Sequence, residues 1–396
     1  MSLRTLDSID LKDKKVLIRV DFNVPLKDGV VTDDTRIRAA VPSIKHVLDN
    51  GGAVILMSHL GRPKGVDEHL TLGQVCSTLS GLLEEVVTFV SASVGPQAEA
   101  AAAALAPGDV LLLENLRFHD EETKGDEGFA KQLAALGDVY VNDAFGTAHR
   151  AHASTAVIAQ FMETAVAGRL MEREVKNAEM VLNSSKRPFT AIVGGAKVSS
   201  KISVLENLLD KVDRLIIGGG MAYTFLKAKG AEIGSSLVED DYLDKARRIM
   251  DGSAKMGVEI LLPQDSIVAD AFSADANTKT CQSAEIPHGW MGLDIGEEAI
   301  KACTEAVLSS KTILWNGPMG VFEMDAFAKG TLAIAQAVAK ATRENGSYSL
   351  VGGGDSVAAI NKFDLADQVS FISTGGGAML EFLEGKVLPG VQAVSE

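Results

Sequence analysis

Short runs of apolar, often β-branched residues alternate with longer amphipathic stretches from one end of the chain to the other. In the first half, the runs predict strands at 14–20, 53–57, 110–113 and 139–141, with helices at 42–50 and 97–105. In the second half they predict strands at 189–193, 214–217, 259–262, 312–315, 349–351 and 369–372, with helices between them. Continuous apolar strands that alternate with helices are typical of parallel sheets covered on both faces. The predicted fold class is α/β, with two doubly wound Rossmann-like domains.

A change in the sequence pattern around 168–183 predicts where one domain ends. Met171, Val175, Ala178 and Leu182 recur at helical spacing among charged residues, and 183–188 then breaks the helix. We interpret this stretch as a hinge helix that joins the domains. The expected domains are 1–168 and 169–383.

The composition narrows the function classes. The chain has 396 residues, of which 46% are apolar and 23% charged, and its net charge is −15. An acidic protein of this kind is repelled by nucleic acid. Three widely spaced cysteines indicate neither a disulfide framework nor a zinc site, and no apolar run reaches the roughly 18 residues that a membrane helix needs. We therefore expect a cytoplasmic protein with no nucleic-acid or membrane partner.

Polar residues that follow the strands of the first half suggest an anion pocket, because ligands of such folds bind beyond the carboxyl ends of the strands. Arg62, Arg117 and Arg150 all follow strands, with His59 nearby and Arg36 within reach. A single arginine there is more often a surface salt bridge. Four that converge in an acidic protein favour phosphate or carboxylate binding.

Glycine-rich turns follow the strands of the second half, at 194–195, 218–220, 317–320, 352–354 and 375–377. The turn that ends in Asp355 and Ser356 suits phosphates with Mg2+, although either residue could instead be a helix N-cap. Lys197 and Lys201 lie four residues apart, which predicts that they share a helix face. Glu323 could hold ribose hydroxyls or simply begin a helix.

Seven motifs together resemble the phosphoglycerate kinase family, and the resemblance covers nearly the whole chain. They are 19–25, 57–63, 113–118, 143–150, 194–198, 315–318 and 352–356.

The resemblance implies reversible, Mg2+-dependent phosphoryl transfer between ATP and 3-phosphoglycerate, in a monomer whose domains close around a hinge. It assigns the triose substrate to Asp21, Phe22, Asn23, Arg36, His59, Leu60, Gly61, Arg62, Arg117 and Arg150. It assigns the nucleotide to Gly194, Gly195, Lys201, Gly292, Asn316, Glu323, Gly353, Gly354, Asp355 and Ser356, with Asp355 as the residue that holds Mg2+. The catalytic residues that it implies are Arg36, Lys197, Gly375 and Gly376. It also places the tail, 384–396, back on the first domain.

Two other classes remain open at this point. A two-domain NAD-dependent dehydrogenase would carry G-x-G-x-x-G, but 218–223 and 352–357 both lack the third glycine. A non-catalytic hinged anion-binding protein could use the same arginines, but should carry an export signal and need no Mg2+. A P-loop kinase is excluded by the lack of a Walker A motif.

Overall fold

The computed structural model describes residues 2–184 and 186–396, which form two compact units. One unit runs from the start of the chain to Lys176 and includes Val387–Glu396; the other comprises Asn177–Lys386. The division lies inside the helix Arg169–Leu182, whereas the sequence placed a boundary at its first residue.

The first unit is built on one six-stranded sheet whose strands are all parallel, in the order β5-β6-β4-β1-β7-β8. Its strands, with a small hairpin β2–β3, are β1 (Lys15–Arg19), β2 (Leu26–Lys27), β3 (Val30–Val31), β4 (Ala53–Met57), β5 (Val87–Phe89), β6 (Val110–Leu112), β7 (Val139–Asn142) and β8 (Ala165–Ala167). Its helices are α1 (Thr35–Asp49), α2 (Cys76–Leu83), α3 (Pro96–Ala103), α4 (Asp120–Lys124), α5 (Glu127–Ala134) and α6 (Arg169–Leu182). Short 3-10 turns lie at Leu6–Ser8, Glu68–Leu70, Leu72–Val75, Leu116–Phe118, Phe145–Thr147 and Val157–Phe161.

The first helix corrects one sequence expectation. Helix α1 begins at Thr35, so Pro42 lies in its interior and not near its first turn. A proline usually breaks a helix interior, because it lacks the N–H group and crowds the preceding turn. Here Ile37, Ala40 and Ile44 are buried at helical spacing in the same core. That apolar face accounts for the helix continuing on both sides of the proline.

The second unit repeats the plan with a sheet in the order β12-β10-β9-β17-β18-β19, again parallel throughout. Its strands are β9 (Phe189–Val193), β10 (Arg214–Ile217), β11 (Glu232–Ile233), β12 (Glu259–Leu261), β13 (Asp265–Ala269), β14 (Thr278–Gln282), β15 (Glu285–Ile286), β16 (Met291–Ile295), β17 (Thr312–Asn316), β18 (Tyr348–Val351) and β19 (Phe371–Ile372). Its helices are α7 (Ile202–Leu208), α8 (Met221–Ala228), α9 (Leu243–Met256), α10 (Glu297–Leu308), α11 (Lys329–Asn345), α12 (Gly354–Lys362) and α13 (Gly377–Leu383). Its 3-10 turns are Val198–Ser200, Asp240–Tyr242, Asp325–Phe327 and Ala366–Gln368, and the last helix of the chain, α14 (Pro389–Gln392), belongs to the first unit.

A small antiparallel sheet in the second unit was not expected from the sequence. Strands β14, β13 and β16 pair in that order, and β14 is mostly exposed. Its residues, Thr278–Gln282, are all polar apart from a cysteine, so they lack the alternation of apolar and polar residues that marks a half-buried strand.

The wrapping of both sheets by helices confirms the α/β class with two parallel, doubly wound sheets. Apolar side chains of β1, β4, β6 and β7 form the core of the first unit, and those of β9, β17 and β18 form part of the core of the second. No helix within 2–184 and 186–396 is long and apolar enough to cross a membrane.

Candidate active site

Three of the four predicted arginines line one pocket in the first unit. Arg62, Arg117 and Arg150 surround a space of about 390 Å3, together with His119 and His152. The loops that carry Arg62, Arg117 and Arg150 follow β4, β6 and β7, whose carboxyl ends lie at one edge of the sheet. The parallel sheet therefore brings together side chains that are far apart in sequence.

The fourth arginine, Arg36, lies in the first turn of α1 and is held by a carboxylate. Its Nη1 donates to Oδ2 of Asp21 at 3.0 Å and to the carbonyl of Asn23 at 3.1 Å. The Arg36 side chain stays 38% exposed, whereas that of Asp21 is 11% exposed. The guanidinium is thus fixed on one side and open to a ligand on the other.

A chain of hydrogen bonds joins the loops that follow β1, β4 and β6. The main-chain N–H of Asn23 donates to Oδ1 of Asp21 at 3.2 Å. The side-chain Oδ1 of Asn23 accepts from the Gly61 N–H at 2.8 Å. The Gly61 carbonyl then accepts from Nη1 of Arg117 at 2.7 Å. Four residues predicted for substrate binding therefore form one network.

His59 is buried beside the arginines and is uncharged. Nη2 of Arg19 lies 3.1 Å from its Nδ1. Burial, followed by the positive charges of Arg19, Arg117, Arg150 and Arg36, holds the pKa of His59 well below its ordinary value. The imidazole therefore adds no charge of its own and acts through hydrogen bonds.

The pocket itself is strongly positive. Burial and the neighbouring charges of Arg150 and Arg19 lower the pKa of Arg117 to about 10, so it stays charged at neutral pH. The same causes, with Arg117 among the neighbours, lower the pKa of His152 to about 4. Nε of Arg117 is buried with no hydrogen-bond partner among the described residues. An anionic ligand would stabilise these clustered guanidinium groups, because it would offset their positive charges and accept their unpaired N–H groups.

Two residues assigned to the substrate by resemblance cannot offer it their side chains. Phe22 and Leu60 are 0% and 2% exposed. Their main-chain N–H groups are also engaged, with Ser58 Oγ and Asn115 Oδ1. The residue that sequence analysis missed is Arg19, which is fully buried at the end of β1. Its signal was a charged residue at the end of a strand whose three central residues are apolar.

The second unit holds a larger pocket of about 620 Å3. Glu323, Asp355, Gly195 and Gly292 line it. Most of its other lining is apolar, from Tyr223, Leu237, Phe272, Met291, Leu293, Met319, Val321 and Met324. A Cβ on Gly292 would lie 1.9 Å from the Tyr223 hydroxyl, so only glycine allows the tyrosine to pack against that wall. A large apolar pocket with two carboxylates at its lining suits a flat heterocycle that carries polar groups.

Beside this pocket, three of the predicted nucleotide residues meet. Nζ of Lys201 donates to Oδ1 of Asn316. Nδ2 of Asn316 is buried without a partner among the described residues, and it lies 3.1 Å from where a Cβ of Gly353 would stand. Burial lowers the pKa of Lys201, and the charge of Asp355 opposes that shift. An unpaired buried donor of this kind indicates room for an acceptor such as a phosphate oxygen.

The start of α12 excludes the N-cap alternative. Gly353 occupies the N-cap position with φ +87°, and no side chain caps the helix. Asp355 lies in the first turn with an exposed side chain, whereas Ser356 is buried. The Ser356 hydroxyl accepts from the N–H of Gly317. The exposed carboxylate is therefore left for an external ligand.

The expected pairing of two lysines on a helix face is wrong. Lys197 has an extended backbone before a 3-10 turn, and Lys201 only precedes α7. Neither lies inside an α-helix, so the spacing of four residues does not align them. Lys197 is exposed, whereas Lys201 is half-buried.

The glycines fall into two groups that the sequence could not distinguish. A Cβ on Gly194 would lie 2.0 Å from the Pro318 carbonyl oxygen, and one on Gly317 would lie 2.0 Å from that of Gly194. These glycines allow two main-chain turns to pack together. A Cβ on Gly354 or Gly376 would meet nothing within 4 Å, so these glycines face open space. The N–H of Gly375 is bonded to Ser373 Oγ at 3.0 Å.

Comparison with known proteins gives one consistent result. The family model described as phosphoglycerate kinase matches residues 6–386. The chain is 57% identical to "Phosphoglycerate kinase" of Moorella thermoacetica, over 100% of both chains. It is 55% identical to "Phosphoglycerate kinase 3, cytosolic" of Arabidopsis thaliana, over 100% of this chain and 98% of that protein.

Solved structures agree with the sequence comparison. The phosphoglycerate kinase from Coxiella burnetii superposes with a TM-score of 0.91 at 43% identity, over 99% of this chain and 98% of that one. The enzyme from Pyrococcus horikoshii superposes with a TM-score of 0.83 at 32% identity, over the same shares. Neither the dehydrogenase nor the non-catalytic anion-binding protein is supported.

Proposed function

Because this chain belongs to the phosphoglycerate kinase family, we propose that it catalyses reversible phosphoryl transfer between ATP and the carboxylate of 3-phosphoglycerate. The products are ADP and 1,3-bisphosphoglycerate. The observation that carries the proposal is the pairing of a positive pocket in one unit with an apolar pocket beside an exposed aspartate in the other. Each has the chemistry of one of the two substrates.

The triose substrate is assigned to the arginine pocket of the first unit. It carries two anionic groups, a phosphate and a carboxylate, and guanidinium groups bind both through paired N–H donors. Arg62 and Arg150 line the pocket, and the network of Asp21, Asn23 and Gly61 holds Arg36 and Arg117 in place. Donors that are already held in place lose little conformational entropy when the ligand binds.

The nucleotide is assigned to the second unit, with its base in the apolar pocket and Glu323 near its sugar. We assign its phosphates to Lys201, Asn316 and the turn Gly353–Gly354. Among the described residues, no cluster of three or more His, Cys, Asp or Glu side chains forms a metal site. Mg2+ commonly needs only one or two carboxylates when phosphates supply other ligands, and Asp355 fits that role. The ion would neutralise charge on the phosphates.

No general base is needed, because the acceptor carboxylate is already ionised at neutral pH. Catalysis then consists of aligning the two substrates and stabilising charge on the transferring group. We assign that role to Arg36 and Lys197, with main-chain donors of the turn at Gly375 and Gly376. Since Gly375 already donates to Ser373, Gly376 is the stronger candidate of the two.

Transfer requires the two substrates to meet, so we propose that the units close when both are bound. A ligand shifts such an equilibrium only if it binds the closed form better, which favours a requirement for both substrates. Small-angle scattering of the free protein, the two binary complexes and the ternary complex tests this. Compaction only in the ternary complex is expected, and equal radii of gyration in all four samples would contradict it. We further propose a cytoplasmic monomer.

The direct test is a coupled assay with ATP and 3-phosphoglycerate, with and without Mg2+. Turnover should need all three components. Glycerate without its phosphate is the matched control for the anion pocket, and it should support little turnover. Equal turnover with NAD in place of ATP would contradict the proposal.

A further inference from the structure

A buried polar chain lies behind the arginine pocket, and the activity proposed above does not account for it. It consists of Arg19, Ser154 and Glu122, which are all 0% exposed, and it ends at His59, which is 3% exposed. Buried charges of this kind are costly unless they are paired and hydrogen-bonded. Every link of this chain is a hydrogen bond.

The direction of each bond follows from the chemistry of the groups. Glu122 forms two hydrogen bonds with Ser154. Its Oε2 accepts from the Ser154 N–H at 3.0 Å, and its Oε1 accepts from the Ser154 hydroxyl at 2.6 Å. An ionised carboxylate only accepts, so the serine hydroxyl must donate to it. That leaves the Ser154 oxygen free to accept from Nε of Arg19, at 2.8 Å.

The position of the proton on His59 follows in the same way. A guanidinium can only donate, so Nδ1 of His59 must accept from Nη2 of Arg19, at 3.1 Å. The third side of the guanidinium is held by the Val20 carbonyl. With Nδ1 as acceptor and the ring uncharged, the proton lies on Nε2, so that nitrogen is a donor.

We propose that Glu122 and Ser154 are positioning residues that hold Arg19 and thereby fix His59 as the Nε2–H tautomer, so that it donates a hydrogen bond to the triose substrate. This rests on the proposed function for the identity of the substrate. Neither residue touches the ligand in this scheme. Their effect reaches it only through the orientation of Arg19 and the tautomer of His59.

The charged groups that surround His59 favour the same state. Arg19, Arg117, Arg150 and Arg36 act on the ring as positive charges, and Asp21 Oδ1 is 4.0 Å from Nδ1. The positive charges oppose a second proton on the ring. Without Arg19 in place, the Asp21 carboxylate would attract the proton to Nδ1. Loss of the chain should therefore change the tautomer.

The test measures the tautomer directly, in the full chain labelled with 15N-histidine. Two-bond proton–nitrogen correlations report which ring nitrogen carries the proton, and loss of signals in His59→Gln identifies His59 among the seven histidines. In the unaltered protein Nδ1 should be unprotonated and Nε2 protonated. A proton on Nδ1 would overturn the proposal before any chain residue is changed.

Ser154→Ala should then shift His59 towards the Nδ1–H form. It should also raise the KM for 3-phosphoglycerate about tenfold, which corresponds to the loss of one hydrogen bond to a charged group. The KM for ATP should not change. Glu122→Gln keeps the volume of the side chain and should act in the same direction, which covers the case that Ser154→Ala does not fold.

Tyr140→Phe is the matched control. Its hydroxyl donates to the main-chain carbonyl of Ser154 at 2.8 Å and is equally buried. Its loss removes a hydrogen bond to the same serine but leaves the chain to His59 intact, so both tautomer and KM should be retained. A tautomer that persists in Ser154→Ala and Glu122→Gln would overturn the proposal, as would an altered tautomer with an unchanged KM.

These outcomes are separate from a failure of the proposed function. Lack of turnover with 3-phosphoglycerate in the unaltered protein would remove the proposed reaction. The tautomer measurement needs no turnover, so it decides the role of the chain in either case.

Discussion

The candidate sites of the two units are built in different ways. In the first, the candidate site is made of charged side chains that hydrogen bonds hold in place, as Asp21 holds Arg36 and the Gly61 carbonyl holds Arg117. In the second, much of the site is main chain at glycine turns, beside a pocket with mostly apolar walls. The only carboxylate at the start of α12 is exposed.

The ligands proposed for the two units differ in a way that matches this contrast. A small triose such as 3-phosphoglycerate offers mainly its phosphate and its carboxylate, so a site for it needs a rigid array of positive charges. A nucleotide brings a large aromatic base and its own metal ion, so the protein can bind it by shape and by main-chain N–H groups. The first site should therefore be sensitive to side-chain identity, and the second to added atoms.

The largest effect is expected for Arg36. Arg36→Ala should lower kcat and kcat/KM together by about 100-fold or more, because it removes charge stabilisation that is strongest in the transition state. Arg36→Lys keeps the charge but loses the paired donors, so it should also be impaired. Steady-state kinetics with both substrates measure this.

Arg38 provides the control for Arg36. It lies in the same helix, is exposed and pairs with Asp34 at 2.7 Å, so Arg38→Ala should leave turnover unchanged. If Arg36→Ala raised only the KM for the triose, Arg36 would be an ordinary binding residue.

The double variant Arg62→Ala, Arg117→Ala tests whether the two sites are independent. Each change removes a charged donor worth about 1.5–3 kcal/mol, so triose affinity should fall by about 100-fold or more. ADP affinity should hold, since both arginines belong to the first unit. Calorimetric titration of each ligand measures both affinities, and a large loss for ADP would contradict a two-site arrangement.

Asp355→Asn should have the next largest effect, on the second unit alone. The amide keeps the shape but removes the charge that would hold Mg2+, so turnover should fall about tenfold or more and its dependence on Mg2+ should weaken. Asp364→Asn, just beyond the other end of α12, is the control, because its φ of +54° is one that asparagine adopts well. Unchanged Mg2+ dependence in Asp355→Asn would place the ion elsewhere.

The two units also differ in how far their candidate sites could be predicted from the sequence. Arg62, Arg117 and Arg150 could be predicted to meet, because each follows a parallel strand and the carboxyl ends of these strands share one edge of the sheet. The lysines at 197 and 201 could not, since their spacing has meaning only within a helix that the turn at Val198–Ser200 does not provide. Helix α1 shows the same limit, because burial of one face outweighs a proline that alone predicts a break.

The role of each glycine could not be predicted from the sequence, because some glycines allow close main-chain packing and others face open space. A pair of variants tests this difference. Gly354→Ala adds a methyl group to open space at the start of a helix, so the fold should be retained. If phosphates approach there, nucleotide affinity should fall several-fold, as measured by titration with ADP. Gly194→Ala would instead place a Cβ 2.0 Å from a carbonyl oxygen and should mainly lower the melting temperature. Unaltered ADP affinity in Gly354→Ala would remove that turn from the site.

The smallest effects concern one buried aspartate in each unit. Asp143 accepts from the N–H groups of Leu170 and Met171 at the start of α6, and Asp294 from those of Ile295 and Gly330. Burial raises the pKa of Asp143 to about 6 and that of Asp294 to about 7. The folded protein therefore binds more protons than the unfolded chain between about pH 4 and 7, so these groups lower stability as pH rises through that window.

Replacing each carboxylate by an amide should affect stability differently in the two units. Asp143 uses Oδ1 alone for both N–H groups, so Asp143→Asn can keep these bonds while losing the charge. Between pH 5 and pH 8, its free energy of unfolding should fall by about 1 kcal/mol less than that of the unaltered protein, because the pKa of about 6 lies one unit above pH 5 and each unit is worth about 1.4 kcal/mol. Urea denaturation at the two pH values measures this difference. Asp294 uses both oxygens, so Asp294→Asn turns an NH2 group towards a main-chain N–H and should be destabilised at both pH values. An Asp143→Asn profile parallel to that of the unaltered protein would show that this carboxylate ionises without cost.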